Sequence, residues 1–134
     1  MSYNWAKDIS SMHNKYGVHE WVKKNPEKLR ELLDFRVSFL KEEFDETSKA
    51  VNEGDPEEIV DGLIDLCVVA IGTLDLMGVD PWQAWDRVHE ANMAKEVGVK
   101  ESRPNPLGLP DLVKPPGWIP PTHINNHGKL PDIF

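Results

Sequence analysis

The stretch LKEEFDETSKAVNEGDPEEIVDGLIDLCVVAIG, residues 40–72, decides the fold. It contains two helical patterns separated only by Asn52-Glu53-Gly54-Asp55, which should turn the chain back on itself. Four carboxylates stand out: Glu43 and Glu46 in the first pattern, then Asp61 and Asp65 in the second. Spacings of three and four put each pair on one helix face, beside an apolar stripe where an unpaired charge would be costly. The stretch therefore predicts a helical hairpin with two facing pairs of carboxylates.

The hairpin also predicts how the four carboxylates are arranged. A turn near Gly54 places Glu46 level with Asp61, and Glu43 level with Asp65. At a rise of about 1.5 Å per residue, the two levels lie roughly 5 Å apart. Hard divalent cations take oxygen ligands, so four carboxylates at this separation could bind one or two of them. We therefore expect a metal site between the two helices.

Composition limits the possible classes of protein. The 134 residues are 40% hydrophobic and 28% charged, which suits one soluble domain with a modest core. Fifteen basic against 23 acidic residues give a net charge of −8, which disfavours nucleic acid and anionic membranes as partners. The single cysteine, Cys67, cannot form an internal disulfide, and its apolar neighbours predict a buried thiol. With no stretch long enough for a signal peptide or a membrane span, we expect a cytoplasmic protein.

Prolines mark the organisation of the chain. Three of the eleven follow Asn or Asp, as Asn25-Pro26, Asp55-Pro56 and Asp80-Pro81, and predict helix starts with an N-cap and a proline at the first position. Upstream, a first helix over about residues 3–16 is predicted by apolar residues at helical spacing. These are Trp5, Ile9, Met12 and Tyr16. The other eight prolines lie between Pro104 and Pro131 and predict an extended segment.

The predicted fold is all-α, a four-helix-type bundle with an extended Pro-rich C-terminal tail. Residues 1–100 should form the helical core, and residues 101–134 a tail that packs on the core or on a partner subunit. No strand pattern is convincing. The predicted inward stripes are Leu29, Leu33, Val37, Leu40, Phe44 and Val51; Ile59, Leu63, Leu66, Cys67, Ala70, Ile71 and Leu74; and Trp82, Trp85, Val88 and Ala91.

The fourth predicted helix supplies polar groups that complement the acids. Asn92 and Lys95 continue the stripe begun by Trp85 and Val88, so they should point toward the bundle. A lysine in that position can bind phosphate, as can Arg87 beside it. The alternative is that these cations bond the last helix carbonyls or remain in solvent.

Other acidic residues have simpler explanations. Glu58 occupies the third position of a capping box that begins at Asp55, which favours a capping role. Glu42 either shares the face of Glu46 or is simply solvated. Asp65 is different because Leu63 and other apolar residues flank it, where an unpaired carboxylate would be heavily penalised. A metal or a buried ion pair at Asp65 is therefore expected.

Four ordered motifs give the chain a family resemblance. They are EExxE at residues 42–46, DGxxDL continuing to GT at 61–73, VHxANMxK at 88–95 and KPPGWxPP at 114–121. Together they resemble the MazG-like, or phosphoribosyl-ATP pyrophosphohydrolase-like, branch of the all-α nucleoside triphosphate pyrophosphatases. The resemblance spans about residues 12–121. One departure is that Asp61 and Asp65 are four apart, where many MazG proteins have an ExxD pattern.

The resemblance implies hydrolysis between the α and β phosphates of a (d)NTP, which yields a (d)NMP and pyrophosphate. It implies Mg²⁺ or Mn²⁺ bound by the helical carboxylates Glu43, Glu46, Asp61 and Asp65. A spare carboxylate, Glu42 or Glu43, would orient or deprotonate the attacking water. Lys95, with Arg87 or Lys114 as helpers, would hold the outer phosphates.

Base selection and assembly are predicted less directly. Candidate base contacts are Trp5, His13, Trp21, Asn92 and Trp118. The run Met12–Gly17 resembles a phage-borne subset of the family, one group of which acts on dGTP and GTP, and this favours a purine. Family members typically form homodimers or homotetramers with sites at subunit boundaries.

Two other classes of protein explain the sequence less well. A ferritin-like di-iron protein also gathers helical carboxylates, but it needs two Glu-x-x-His motifs, and the chain has only Asp86-Arg87-Val88-His89. A non-catalytic helical interaction module would leave its acids solvated. That class does not explain Asp65 or the inward-facing Asn92 and Lys95.

Overall fold

The structure, a computed structural model, describes residues 4–100, 102 and 106–134. Within these ranges there are five α-helices: α1 (Trp5–Lys15), α2 (Val18–Lys24), α3 (Leu29–Glu53), α4 (Pro56–Leu76) and α5 (Pro81–Met93). Two short strands, β1 (Glu96–Gly98) and β2 (Asp111–Val113), and 3₁₀ turns at Pro26–Lys28 and Leu130–Ile133 complete the elements of these residues. The predicted all-α fold class is confirmed.

The chain divides into two compact units. The first comprises Met1–Pro81 and Asn125–Phe134, and therefore holds α1 to α4 and the last 3₁₀ turn. The second comprises Trp82–Ile124 and holds the rest of α5 and both strands. The predicted division at residue 100 into a functional core and a tail stays a prediction.

No single helix of the described residues has the length and apolarity needed to cross a membrane. By length and composition alone, the bent pair Pro56–Leu76 and Pro81–Met93 meets those requirements when its two helices are taken together.

The first unit is built around the predicted helical hairpin. α3 ends at Gly54, whose φ of 67° is the left-handed conformation that glycine adopts without strain. Asp55 then caps α4: its Oδ1 accepts a hydrogen bond from the backbone N–H of Glu58 at 3.2 Å, and Pro56 follows at the first helical position. The turn and the second helix start are thus confirmed.

A glycine sets how closely α3 and α4 approach. A Cβ added at Gly62 would collide with Thr47 Oγ1 and would lie 3.3 Å from Thr47 Cβ. Thr47 is buried, and its hydroxyl donates to the carbonyl of Glu43 at 2.8 Å. Farther along the hairpin, Arg36 donates to Thr73 Oγ1 at 3.1 Å and to the carbonyl of Val69 at 3.0 Å. These contacts fix the register of the two helices.

The C-terminal residues return to the first unit. Asn126 is buried, and its side chain pairs with the backbone N–H and C=O of Asp80 at 2.8 and 2.9 Å. Lys129 donates its backbone N–H to the carbonyl of Met77 at 2.7 Å. The chain end thereby joins the apolar core. That core comprises Val22, Leu29 and Leu76, with Val18, Leu32 and Ile133 packed against it.

The second unit contains an antiparallel ribbon that was not predicted. β1 pairs with β2 in the register Glu96↔Val113 to Gly98↔Asp111. Each strand is only three residues long, too short for the period-two pattern that would reveal it in the sequence. The expectation that the chain lacks strands was therefore wrong.

Two local predictions near the N-terminal helices were also wrong. α2 fills the gap between the first helix and Pro26, where no helix was predicted; seven residues carry too few turns for a clear periodicity. Asn25 does not cap the following helix, because its side chain donates instead to the carbonyl of Trp21 at 2.8 Å. Pro26 opens a 3₁₀ turn, and the α-helix begins at Leu29.

Several residues of the predicted inward stripes are exposed. Cys67 was expected to be buried and is exposed. Phe44 is 59% exposed and Leu63 is 52% exposed, so the carboxylates are flanked by apolar surface in the single chain. The other large apolar residues of those stripes that are exposed are Val37, Val51, Trp82, Trp85 and Val88. A two-helix hairpin has too little partner surface to cover every apolar side chain on both of its helices.

Candidate active site

The four predicted metal ligands lie on the two arms of the hairpin in the first unit. Glu43 and Glu46 are on α3, Asp61 and Asp65 on α4. Glu43 and Asp65 are half-buried, whereas Glu46 and Asp61 are exposed. The helices approach closely at Thr47 and Gly62; Glu46 directly precedes Thr47, and Asp61 directly precedes Gly62.

The electrostatics of Glu43 show that these acids are neighbours. Partial burial raises the pKa of Glu43, and the charges of nearby carboxylates raise it further. Those carboxylates are Glu46, Asp65, Glu42 and Asp61. A carboxylate that is repelled by acids from both helices is the environment that a divalent cation would relieve. The oxygens of these side chains are the type of ligand that a divalent cation takes.

Glu42 and Asp45 are the exposed acids that flank Glu43 and Phe44 on α3. Glu42 is exposed and adds to the repulsion at Glu43. Asp45 instead pairs with Lys41 at 2.8 Å and is not among the carboxylates that raise the pKa of Glu43. Asp45 is thus an internal control for any experiment on the cluster.

The predicted phosphate-binding residues lie in the second unit. Lys95 Nζ is 5.4 Å from the centre of the Trp118 ring, and Lys114 Nζ is 5.2 Å from it. Trp118 is held by a hydrogen bond of 2.8 Å from its Nε1 to the carbonyl of Ala91. Two ammonium groups and one indole ring are therefore brought together by the tail motif.

Arg87 is hydrogen-bonded to the tail, whereas Asn92 is exposed. Arg87 Nη1 donates to the carbonyls of Thr122 and Ile124 at 3.0 and 3.1 Å, so this side chain supports the tail segment. Asn92 is exposed on α5. Arg87 also lines an open groove of about 630 Å³ with Trp118 and the prolines 115, 116, 120 and 121.

The predicted base contacts of the first unit lie on α1 and α2. Trp5 and Trp21 are 53% and 41% exposed on α1 and α2. His13 is buried, and its Nδ1 lies 2.7 Å from Asp75 Oδ2. Its contact with a substrate stays a prediction.

A second cluster near His13 was missed by sequence reasoning. His19 Nε2 also lies 2.7 Å from Asp75 Oδ2. Among the described residues, this trio is the group of His, Cys, Asp or Glu side chains close enough to share a metal ion, with ligand atoms within 4.8 Å of one another. The carboxylates of α3 and α4 do not form a second such group in that part of the chain. No local spacing links residues 13, 19 and 75, so only the fold brings them together.

The fold and the paired carboxylates define a class of all-α proteins that present acids on two antiparallel helices. Within that class, residues 18–92 match the family model of phosphoribosyl-ATP pyrophosphohydrolase. The match spans α2, α3, α4 and most of α5, more than half of the chain, and the chain belongs to this family. The family is one of pyrophosphohydrolases that typically depend on a metal, and the resemblance read from the motifs is confirmed. No curated protein and no solved structure gives a match.

Proposed function

We propose that this chain hydrolyses the bond between the α and β phosphates of a nucleoside triphosphate, which releases a monophosphate and pyrophosphate. The observation that carries the proposal is the placement of Glu43, Glu46, Asp61 and Asp65 on the two arms of the α3–α4 hairpin, inside the segment that matches the family. A divalent cation bound by such carboxylates would neutralise their charge.

Glu43, Glu46, Asp61 and Asp65 would hold Mg²⁺ or Mn²⁺ in this proposal. When bound, the ion supplies charge neutralisation at the phosphate oxygens and a more acidic water. Glu42 or Glu43 would orient that water and accept its proton, for which the raised pKa of Glu43 is favourable. Lys95, Lys114 and Asn92 stay the predicted phosphate contacts, and Arg87 supports the tail through its two carbonyl contacts.

Two substrate classes follow from the residues and the family. The N-terminal run Met12–Gly17 favours a purine, with guanine as dGTP or GTP. The description of the family favours phosphoribosyl-ATP itself, which also carries an α–β phosphoanhydride. Both are cleaved by the same chemistry at the carboxylates, so the choice rests on groups outside them.

We also propose a homodimer or homotetramer in the cytoplasm. Apolar side chains flank the carboxylates on the exposed faces of α3 and α4, among them Phe44, Val60, Leu63 and Ile64. Their burial by a second copy would cover this surface and exclude water from the neighbouring acids.

Product analysis tests the activity. The purified chain is incubated with Mg²⁺ or Mn²⁺ and, separately, each NTP, each dNTP and phosphoribosyl-ATP; monophosphate, diphosphate, pyrophosphate and orthophosphate are then resolved. We expect pyrophosphate and the matching monophosphate from one substrate class. E43Q and D65N should lower kcat on the order of 10²-fold or more, while D45N on the same helix should retain turnover.

The controls separate loss of chemistry from loss of folding. All three variants should melt cooperatively and keep the helical circular dichroism of the parent. Equal turnover by E43Q, D65N and D45N would remove the carboxylates from the mechanism. No turnover of any substrate with either metal would overturn the proposal and favour a non-catalytic helical interaction module.

A further inference from the structure

Side chains from three helices meet at one carboxylate oxygen in the first unit. His13 Nδ1, on α1, and His19 Nε2, on α2, each lie 2.7 Å from Oδ2 of Asp75, on α4. The two imidazole rings are edge to face, with centroids 5.7 Å apart. Two ring nitrogens and a carboxylate oxygen therefore converge on one point from three directions.

The cluster is enclosed on one side and open on the other. The side chains of His13 and Asp75 are 5% and 14% exposed, whereas that of His19 is 36% exposed. An ion could therefore enter from the side of His19 while the other two ligands remain held by the core.

Gly72 leaves the space that the buried His13 ring occupies. A Cβ at Gly72 would lie 3.2 Å from His13 Cε1 and 2.5 Å from Arg36 Nη2, so a larger residue would displace both side chains. Arg36 itself is held by Thr73 and the carbonyl of Val69, and burial lowers the pKa of its guanidinium. This positive group faces the cluster and opposes a cation there, so binding must come from direct ligation rather than from long-range charge.

We propose that His13, His19 and Asp75 form a binding site for a transition-metal ion of the Zn²⁺ class. Imidazole nitrogens suit Zn²⁺ and its neighbours, whereas Mg²⁺ prefers oxygen ligands and its own waters. Two histidines and one carboxylate are a ligand set that zinc uses in proteins, with a position left for water. The site therefore selects a different metal from the one proposed for α3 and α4.

The new site is distinct from the carboxylates of the hairpin. Asp75 follows Asp65 by ten residues on α4, which is about 15 Å along a helix. Its ligands join α1 and α2 to α4, so a bound ion would tie the N-terminal helices to the hairpin. Each imidazole would bind through the nitrogen that now faces Asp75 and carry its proton on the other ring nitrogen.

Cobalt is the probe for the experiment, because Co²⁺ in a tetrahedral site with nitrogen ligands absorbs visible light strongly and in a site of six oxygens absorbs weakly. Metal-free protein is titrated with Co²⁺, and Zn²⁺ is then added in competition. We expect strong visible bands that Zn²⁺ removes. H19Q and D75N should bind at least about tenfold more weakly, the loss that even an outer-shell change typically causes.

Two matched variants locate the ion. H89Q replaces an exposed histidine on α5 and should leave the Co²⁺ bands unchanged. E43Q removes a ligand of the hairpin carboxylates and should also leave them unchanged. His19 is partly exposed, so H19Q should fold. If D75N does not fold, the result with H19Q decides the outcome.

Two results would overturn the proposal. The first is an absence of strong bands in the parent protein, which would leave His13, His19 and Asp75 as a hydrogen-bonded trio only. The second is a set of bands that survives in H19Q or disappears in E43Q, which would place the ion elsewhere. Either result leaves hydrolysis by the carboxylates untouched, because that activity is measured with Mg²⁺ or Mn²⁺ and different variants.

Discussion

At the residue scale, the molecule contrasts two kinds of carboxylate. Glu43 is surrounded by like charges, and its pKa is raised by partial burial and by those charges. Burial acts to raise the pKa of Asp75 as well, but hydrogen bonds and charges from His13 and His19 outweigh it and hold the pKa below its ordinary value. The first carboxylate is destabilised in the folded chain, and the second is satisfied by its neighbours.

Replacing Glu43 should stabilise the metal-free fold rather than weaken it. In metal-free protein near neutral pH, E43Q should increase the free energy of unfolding, by about 0.2–0.5 kcal/mol for each like-charge pair relieved. The same change should abolish the stabilisation that Mg²⁺ or Mn²⁺ confers by mass action. Thermal melting with chelator and then with metal measures both effects. D45N, whose acid is paired with Lys41, should not gain stability; a destabilised E43Q would contradict the prediction.

The lowered pKa of Asp75 predicts that the fold loses stability at acidic pH. A carboxyl with a lowered folded-state pKa contributes stability that is fully present above its unfolded pKa and is lost as pH falls through the folded value. In the presence of chelator, we expect the melting temperature to fall on acidification below about pH 4, and D75N to show a flatter profile there. D34N, at an exposed acid of α3, is the control. Parallel profiles for D75N and the parent would count against this account.

At the element scale, the α3–α4 hairpin positions the carboxylates through its closest point. Thr47 and Gly62 are in contact there, and Glu46 and Asp61 directly precede them in the sequence. The Thr47 hydroxyl is bonded to the carbonyl of Glu43 one turn earlier. A change of spacing at this point would therefore move the two arms of the site relative to each other.

G62A tests the closest point of the hairpin. The added Cβ overpacks the interface at a cost of about 1–3 kcal/mol, against which alanine regains about 1 kcal/mol of helix propensity over glycine. We expect a net decrease in the free energy of unfolding of G62A. We also expect its kcat to fall, because the two arms that carry the carboxylates move apart. T47A removes the colliding hydroxyl, so T47A/G62A should recover part of the lost stability and part of the lost kcat. A double-mutant cycle of urea unfolding measures the coupling energy between residues 47 and 62. Additive single effects would show that the contact does not set the spacing.

At the scale of the whole molecule, the single chain exposes many large apolar side chains. Val60 is 64% exposed and Ile64 is 47% exposed, one turn apart on α4. Phe44 on α3 is also exposed. Contiguous surface of this kind usually marks an interface, which supports association of this face with a second copy.

The interface gives a prediction of oligomeric state. We expect the parent chain to sediment as a dimer or a tetramer at micromolar concentration, and V60K/I64K to sediment as a smaller species because buried lysines would be unpaired. V99K, at an apolar residue that is 87% exposed outside the hairpin, should behave as the parent. A monodisperse parent monomer, measured by analytical ultracentrifugation, would refute this expectation.

Much of the hairpin could be predicted from local signals alone. Gly54, Asp55 and Pro56 act within a few residues of one another, so their capping and turn chemistry is readable without a fold. The acids at residues 43, 46, 61 and 65 follow from that turn by helix geometry. Helix α2 and the three-residue strands were not predictable, because short elements carry too little periodicity.

The sequence by itself determined the all-α class, the hairpin, the helices that carry its carboxylates and the family to which the chain belongs. Tertiary structure alone decided that Cys67 is exposed. It also brought His13, His19 and Asp75 to one point. The physical reason is range: caps, turns and helix faces depend on residues up to four apart, whereas burial and long-range clusters depend on which surfaces the packed helices cover.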